Sequence, residues 1–350
     1  LKKNTGVLIS PLDWGLGHAA RCIPLIQQFI AEGQAVTVFA SPGICSYLQQ
    51  RFPDLSFITD KTKPVSYGFN GTGFFQIIGL IPKMIKQQKS EQNMCSALCA
   101  SNEYNLIVSD NRYGFRCDNI RSVLITHQLE PIAPWWLCFG LPVLRKFIKK
   151  SLARFSEVWV PDYKNFPGLA GKLSHPKTLV SNAKYIGPLS RFDRLDDYNS
   201  TVRNELLLVI TSGPLKHRRQ MAGKLSQVFA ECGLSVIIAG AEINDPGENI
   251  SCIMSPSDEQ LAKWLSEAAV IISHAGYSTM MDLFAVGRSA IIFPTRGQTE
   301  QQYLAQLHQD FFITVANINK LHLHTAGWTS INEILKQKEI RMVHANNLKR

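Results

Sequence analysis

The sequence predicts an α/β chain made of two doubly wound parallel sheets. Three observations carry that prediction. Short β-branched runs alternate with helical patterns along almost the whole chain, as in parallel strands covered by helices on both faces. The 350 residues suit about two domains of ~100–200 residues each. Hydrophobic residues make up 45% and charged residues 18%, a balance that fills large cores and excludes a disordered chain.

The elements follow in order. Strands are expected at 6–10, 35–40, 55–59, 106–110, 122–126 and 157–160, and again at 206–210, 235–239, 270–273, 290–293 and 312–315. Each is a short run rich in Val, Ile, Leu or Phe, bounded by polar or glycine-containing segments. A helix is expected from about Ala19 to Glu32, another from near Ser278, and a last one at 329–338 after a Ser/Thr cap. The Gly187-Pro188 step and the polar stretch 191–204 mark a linker. The domains expected are 1–190 and 191–350, each Rossmann-like, with the terminal helix free to pack back on the first.

Several classes are excluded. The longest charge-free apolar stretches, 69–82 and 131–144, fall short of the ~18–20 residues a membrane span needs. Lys2-Lys3 precede an apolar run too short for a signal peptide. Eight cysteines are too sparse for a disulfide scaffold. Cys95 and Cys99, one helical turn apart with no nearby His, read as buried thiols rather than metal ligands. A reducing cytoplasm fits. The triplets at Asn70, Asn199 and Asn249 are no more than chance supplies.

The net charge of +10 is unevenly placed. Residues 1–190 hold 21 Lys/Arg and 11 Asp/Glu, whereas residues 191–350 hold 16 of each. An acidic partner for the first half alone is therefore expected: nucleic acid, an anionic membrane surface or a charged substrate. No helix-turn-helix, zinc or RNA-binding signature accompanies the charge, which argues against nucleic acid.

Candidate chemistry collects at strand ends, where open parallel sheets bind ligands. After the first strand come Gly15, Gly17 and His18. The glycines permit a tight turn, and the positive end of the following helix disfavours an imidazolium, leaving a neutral base. The dinucleotide fingerprint is not met, because the second strand ends Ala40-Ser41 without an acidic residue. A plain glycine turn with a capping His is the alternative. Asp110 and His127 end later strands and are further candidates for the base.

In the second half, Ser273-His274-Ala275-Gly276-Tyr277-Ser278-Thr279 leads from a strand into a helix whose free N–H groups can hold a diphosphate. Asp282 lies about one turn on, where a carboxylate can accept from both ribose hydroxyls. Gln298, Gln301 and Gln302 follow the next strand and carry amides that match sugar hydroxyls. Ser212 and Gly213, with Arg218 close behind, offer hydroxyl, flexibility and charge for phosphate oxygens.

With these residues in place the chain resembles inverting glycosyltransferases of the two-domain GT-B fold, specifically glycosyltransferase family 28. The Gly15-x-Gly17-His18 loop looks like that family's first glycine loop. The run 273–287 looks like its nucleotide-diphosphate motif, with Asp282 in place of a ribose-binding Glu, and Gln301-Gln302-Tyr303 matches a Gln-Gln-Tyr element. His274 stands where many relatives have Arg, and Asp13-Trp14 replaces part of a glycine-rich stretch. The resemblance implies two domains facing a cleft and sugar transfer, with inversion, from a nucleotide diphosphate sugar, most often UDP-linked. It also implies no metal or cofactor, in keeping with the absence of any Asp-x-Asp motif.

His18 is then the expected base and Asp110 the second candidate. The acceptor is expected to be lipid-linked or a glycan. Arg145, Lys146, Lys149, Lys150 and Arg154 follow Trp135-Trp136, and Lys83, Lys86 and Lys89 follow another apolar run. Such surfaces suit an anionic membrane, hence a peripheral, cytoplasmic-face location, although a solvated basic helix face reads equally well. A nucleotide-sugar 2-epimerase and a non-catalytic nucleotide-sugar-binding subunit are the alternative functions.

Overall fold

The computed structural model describes residues 6–61, 74–101, 103–132, 140–192, 202–230, 232–295, 297–316 and 325–347. Of the segments singled out above, Trp135-Trp136, Asn70, Asn199 and most of the polar stretch after 191 lie outside them. The chain divides into two compact units, Leu1–Leu189 and Ser190–Arg350.

The first unit carries seven parallel strands: β1 (Gly6–Pro11), β2 (Ala35–Ala40), β3 (Ser56–Thr59), β4 (Tyr104–Asp110), β5 (Arg121–Ile125), β6 (Glu157–Val160) and β7 (Ala183–Tyr185). They stand in the order β3-β2-β1-β4-β5-β6-β7. Alternate residues of β1 enter different cores. Val7 and Ile9 pack with Ile23 and Ile26 of helix α1 (Leu16–Ala31) and with Ile44 and Leu48 of α2 (Pro42–Gln49). Leu8 faces the other way, beside Phe115 and Cys95 of α3 (Phe74–Ser101). A strand buried on both faces is apolar throughout, which is why β1 is legible as a continuous run. The helix α4 (Leu141–Leu152) seats Ile148 and Leu152 against Leu124, Val158 and Val160.

The second unit repeats the plan with six strands in the order β10-β9-β8-β11-β12-β13. They are β8 (Arg203–Ile210), β9 (Ser235–Ala239), β10 (Ile250–Ile253), β11 (Ala268–His274), β12 (Ile291–Phe293) and β13 (Ile313–Thr314). The helices are α5 (Leu215–Phe229), α6 (Asp258–Glu267), α7 (Tyr277–Ala285), α8 (Thr299–Leu307) and α9 (Thr325–Asn347). A reciprocal capping box between Ser257 and Gln260 starts α6. In the terminal helix α9, Leu335 lies in this unit's own core with Ile331 against it, Met342 is also buried, and Glu339 accepts from Arg288 Nε at 2.8 Å.

Every predicted strand has a counterpart. Two strands escaped prediction, β7 and β10, and both lie at a sheet edge. Neither fills two cores: β7 is a three-residue strand centred on exposed Lys184, and β10 holds Ser251 and Cys252 between two Ile. Helix α1 starts earlier than expected because Gly15, at φ 99°, makes the whole turn. Gly17 therefore lies inside the helix rather than in the loop. Helix α9 is longer at both ends than the predicted 329–338. Among the described residues no helix is long and apolar enough to cross a membrane.

In each sheet the strand order reverses between neighbours, at β1/β4 and at β8/β11. The loops leaving two such strands diverge and open a crevice at their carboxyl ends.

Candidate active site

At the β1/β4 reversal, Pro11 pairs with Asp110 in register. The chain after β1 turns at Gly15 into α1, and His18 and Arg21, three apart, share one face of that helix. Both reach Asp110, the last residue of β4. His18 Nδ1 is 2.9 Å from Asp110 Oδ2. Arg21 Nε donates to Oδ1 and Oδ2 at 2.8 and 2.9 Å, and its Nη2 also contacts Oδ1. Arg21 Nη1 lies 3.4 Å from Nδ1 of His127, which follows β5 and is buried.

A carboxylate only accepts, so the Nδ1–H tautomer of His18 donates to Asp110 and leaves the lone pair on Nε2, whereas the Nε2–H tautomer accepts at Nδ1 from Arg21 Nη2, 2.9 Å away. The latter would set a lone pair against the carboxylate. The His18 side chain is 16% exposed, and that of Asp110 is fully buried at 0%. Burial and then the Arg21 guanidinium push the imidazole below its ordinary titration range, outweighing Asp110. Burial alone would raise the Asp110 carboxyl, but Arg21 and His18 reverse that and hold it below the usual range. The cluster thus presents a neutral imidazole, backed by an ionised carboxylate that no substrate can touch. Trp14, on the turn before His18, is 48% exposed.

Beside it, the backbone leaving β4 takes a left-handed step at Asn111 (φ 57°). Arg112 then turns inward, donating to Ser10 Oγ at 2.9 Å and Asp60 Oδ2 at 3.0 Å, with Glu91 Oε1 3.4 Å from its Nε. Gly114 N donates to Glu91 Oε2. A Cβ on Gly114 would stand 2.1 Å from the Gln88 carbonyl oxygen, so only glycine lets α3 pass this close.

At the β8/β11 reversal two loops converge on Gly276. Were a Cβ placed there, Ser212 Oγ and Thr279 Oγ1 would be 3.9 and 4.0 Å away. Gly276 is the N-cap of α7 and has no side chain of its own to accept from the first-turn N–H groups. Gly213 has φ 91°. Arg218 instead donates to the Gly240 carbonyl at the end of β9, and burial lowers its pKa. His274 ends β11, with its ring edge-on to Phe293 (centroids 4.7 Å) and Nδ1 3.3 Å from Thr295 Oγ1. Burial keeps this imidazole below its ordinary range too.

Three predicted ligands have partners of their own. Asp282 Oδ1 accepts from Ser190 Oγ at 2.8 Å, and Arg191 Nε lies 3.4 Å from its Oδ2. Gln301 is used inside its loop: Nε2 donates to Gln298 Oε1 at 2.6 Å, and Oε1 accepts from Thr295 N at 2.8 Å. Gln302 sits exposed on α8, and Gln298 is exposed at its N-cap. Sequence reasoning missed Arg21 altogether. Its signal was a lone cation within a helix stretch that is otherwise apolar, Ala19-Ala20-Arg21-Cys22-Ile23.

Residues 205–343 match the glycosyltransferase family 28 C-terminal domain. Among curated proteins the chain is similar to an uncharacterized glycosyltransferase of Methanosarcina mazei, 20% identical over 307 residues that cover 82% of this chain and 79% of that protein. Among solved structures it is similar to the spinosyn rhamnosyltransferase SpnG complexed with thymidine diphosphate (TM-score 0.60, 14% identity, 97% of this chain and 95% of that one). It is also similar to MurG of Acinetobacter baumannii (TM-score 0.53, 13% identity, 97% and 94%). The chain is a glycosyltransferase with the GT-B fold, and its residues 205–343 carry the family 28 C-terminal domain.

Proposed function

We propose that the chain moves a sugar from a nucleoside diphosphate sugar to an acceptor hydroxyl with inversion, using His18 as the general base. The observation that carries this reading is the 2.9 Å contact of His18 Nδ1 with buried Asp110 at the β1/β4 reversal. Asp110 orients the ring and compensates the imidazolium as it forms. His18 Nε2 takes the acceptor proton while the oxygen attacks the anomeric carbon in line, opposite the departing diphosphate. His127, behind Arg21, does not touch substrate.

The second unit holds the donor. The α7 N–H groups, Ser212 and Thr279 meet the diphosphate, where charge grows in the transition state. These donors and the lack of an Asp-x-Asp motif favour a reaction that uses no metal. That SpnG is complexed with thymidine diphosphate supports a nucleoside diphosphate as the leaving group, with UDP the first to test. Asp282 reads the ribose once Ser190 and Arg191 release it.

The acceptor is lipid-linked and met at an anionic membrane surface. Lys83, Lys86 and Lys89 of α3 and Lys146 and Lys150 of α4 are exposed. Lys89, Lys150 and Arg154 line one groove with Ile85 and Phe147. Cations beside apolar groups favour anionic headgroups.

Purified protein is given UDP- and dTDP-linked sugars with membrane lipid extracts, and labelled transfer is counted. His18→Ala is expected to lose activity by about 10²-fold or more. Parent-rate transfer by that variant removes His18 from the mechanism. Flotation with anionic but not neutral liposomes is expected, and equal absence from both ends the membrane reading.

A further inference from the structure

We propose that Arg21 is a positioning residue of the base: it takes a share of the Asp110 carboxylate and so limits how much of that charge His18 feels. The inference rests on the reading of His18 as the base.

Arg21 is among the largest fully buried side chains. A guanidinium stays charged at every pH a protein survives, and burial obliges it to find partners for its donors. Here Nε reaches both Asp110 oxygens, Nη2 reaches Oδ1 and lies 2.9 Å from His18 Nδ1, and Nη1 faces His127. One carboxylate therefore serves two side chains, through three nitrogens. The groups that face His18 are Arg21 from its own helix, Asp110 from β4 and His127 after β5.

In a bare His–Asp pair the carboxylate raises the imidazole pKa and favours the protonated form. At His18, Arg21 neutralises Asp110 before the ring takes a proton, and an imidazolium would meet Nη2 2.9 Å away. The carboxylate keeps its grip on ring orientation and loses most of its power to protonate the ring. Burial and then Arg21 thus hold His18 toward the free base, whereas a bare pair would be drawn toward the protonated form. A buried arginine that only packed would leave the titration of His18 untouched.

The test is imidazole ¹⁵N NMR on the full chain labelled at histidine, with the His18 signals assigned by their loss in His18→Gln. Wild type is expected to show the Nδ1–H tautomer and a titration midpoint below the ordinary ~6.5. In Arg21→Met the midpoint is expected to rise by about one pH unit or more. Arg21→Lys, which keeps the charge but not the fork, should stay near wild type. In transfer assays the acidic limb of kcat/KM should move up with Arg21→Met while the alkaline plateau falls less. A uniform fall at every pH overturns the inference. So does an Nε2–H tautomer, a wild-type midpoint at or above ~6.5, or an equal rise in Arg21→Lys and Arg21→Met. If Arg21→Met does not fold, the wild-type tautomer and midpoint and the Arg21→Lys titration still decide. The titrations need no donor or acceptor, so they are separate from failure of the base assignment, which would show as parent-rate transfer by His18→Ala.

Discussion

Replacing Arg21 and Asp110 singly and together measures how the base is held. Arg21→Met leaves the Asp110 carboxylate, fully buried, with His18 as its one partner from this pair. Asp110→Val takes this carboxylate away from the buried guanidinium. Breaking a buried pair from one side costs about 3–5 kcal/mol. For a unit the size of Leu1–Leu189, each kcal/mol lowers Tm by about 2–4 °C. Each single variant should therefore melt about 6–20 °C below wild type. Asp110→Val should be the worse, because in Arg21→Met His18 can take a proton to pair with Asp110, whereas Asp110→Val strips both Arg21 and His18 of the carboxylate they share. The double variant removes both charges, and well-packed apolar replacements of buried pairs are often near neutral. Its loss should fall short of the summed singles by about 2 kcal/mol or more. Calorimetry and urea titration of the four proteins at one pH provide the comparison. Additivity within about 0.5 kcal/mol, the behaviour of independent sites, would refute the pairing.

Three further outcomes are expected. Gly114→Ala puts a Cβ 2.1 Å from the Gln88 carbonyl oxygen and should destabilise severely, whereas Gly223→Ala, with open space around it in α5, should stabilise by roughly 0.5–1 kcal/mol in the same melting assay. Gly276→Ala meets its neighbours only at ordinary contact distance, so it should fold normally yet raise the donor KM, and an unchanged KM moves the diphosphate elsewhere. Acid should weaken the first unit in two steps visible in urea titrations across pH. His18, with a lowered folded pKa, keeps its full contribution above ~6.5 and loses it as pH falls toward the folded value, because the unfolded chain takes the proton first. Glu157, lowered to about 2 by the Trp159 indole and then by Lys184 and Arg121 against opposing burial, contributes above its ordinary range and loses that between ~4.5 and ~2.

Much of the fold is legible because β1, β4, β8 and β11 are buried on both faces and so read as continuous apolar runs. Edge strands β7 and β10 lack that pattern. Gly15, His18, Gly213 and Gly276 are legible because strand-end loops combine glycine with reactive side chains. Arg21 is not, because a periodic pattern assigns it to the apolar face of α1 without naming a partner. Asp110 stands at a strand end, where a cap, a base and a support look alike. Its 0% exposure separates these roles, and burial depends on β5 and α1 closing around it. The hydrogen-bond partners of Asp282 and Gln301, Ser190 and Thr295, lie in segments with no periodic signal, so these contacts are not legible in the sequence.

The separation of 92 residues between His18 and Asp110, and 89 between Arg21 and Asp110, also bears on how the protein becomes active during folding. Local contacts form α1 early, but the carboxylate arrives only when β4 adds to β1, after a long loop has closed. Until then His18 is an ordinary solvated imidazole on a helix end. In refolding, the recovery of helical signal should therefore run ahead of the recovery of turnover, and the lag between them is the time β4 takes to find its place.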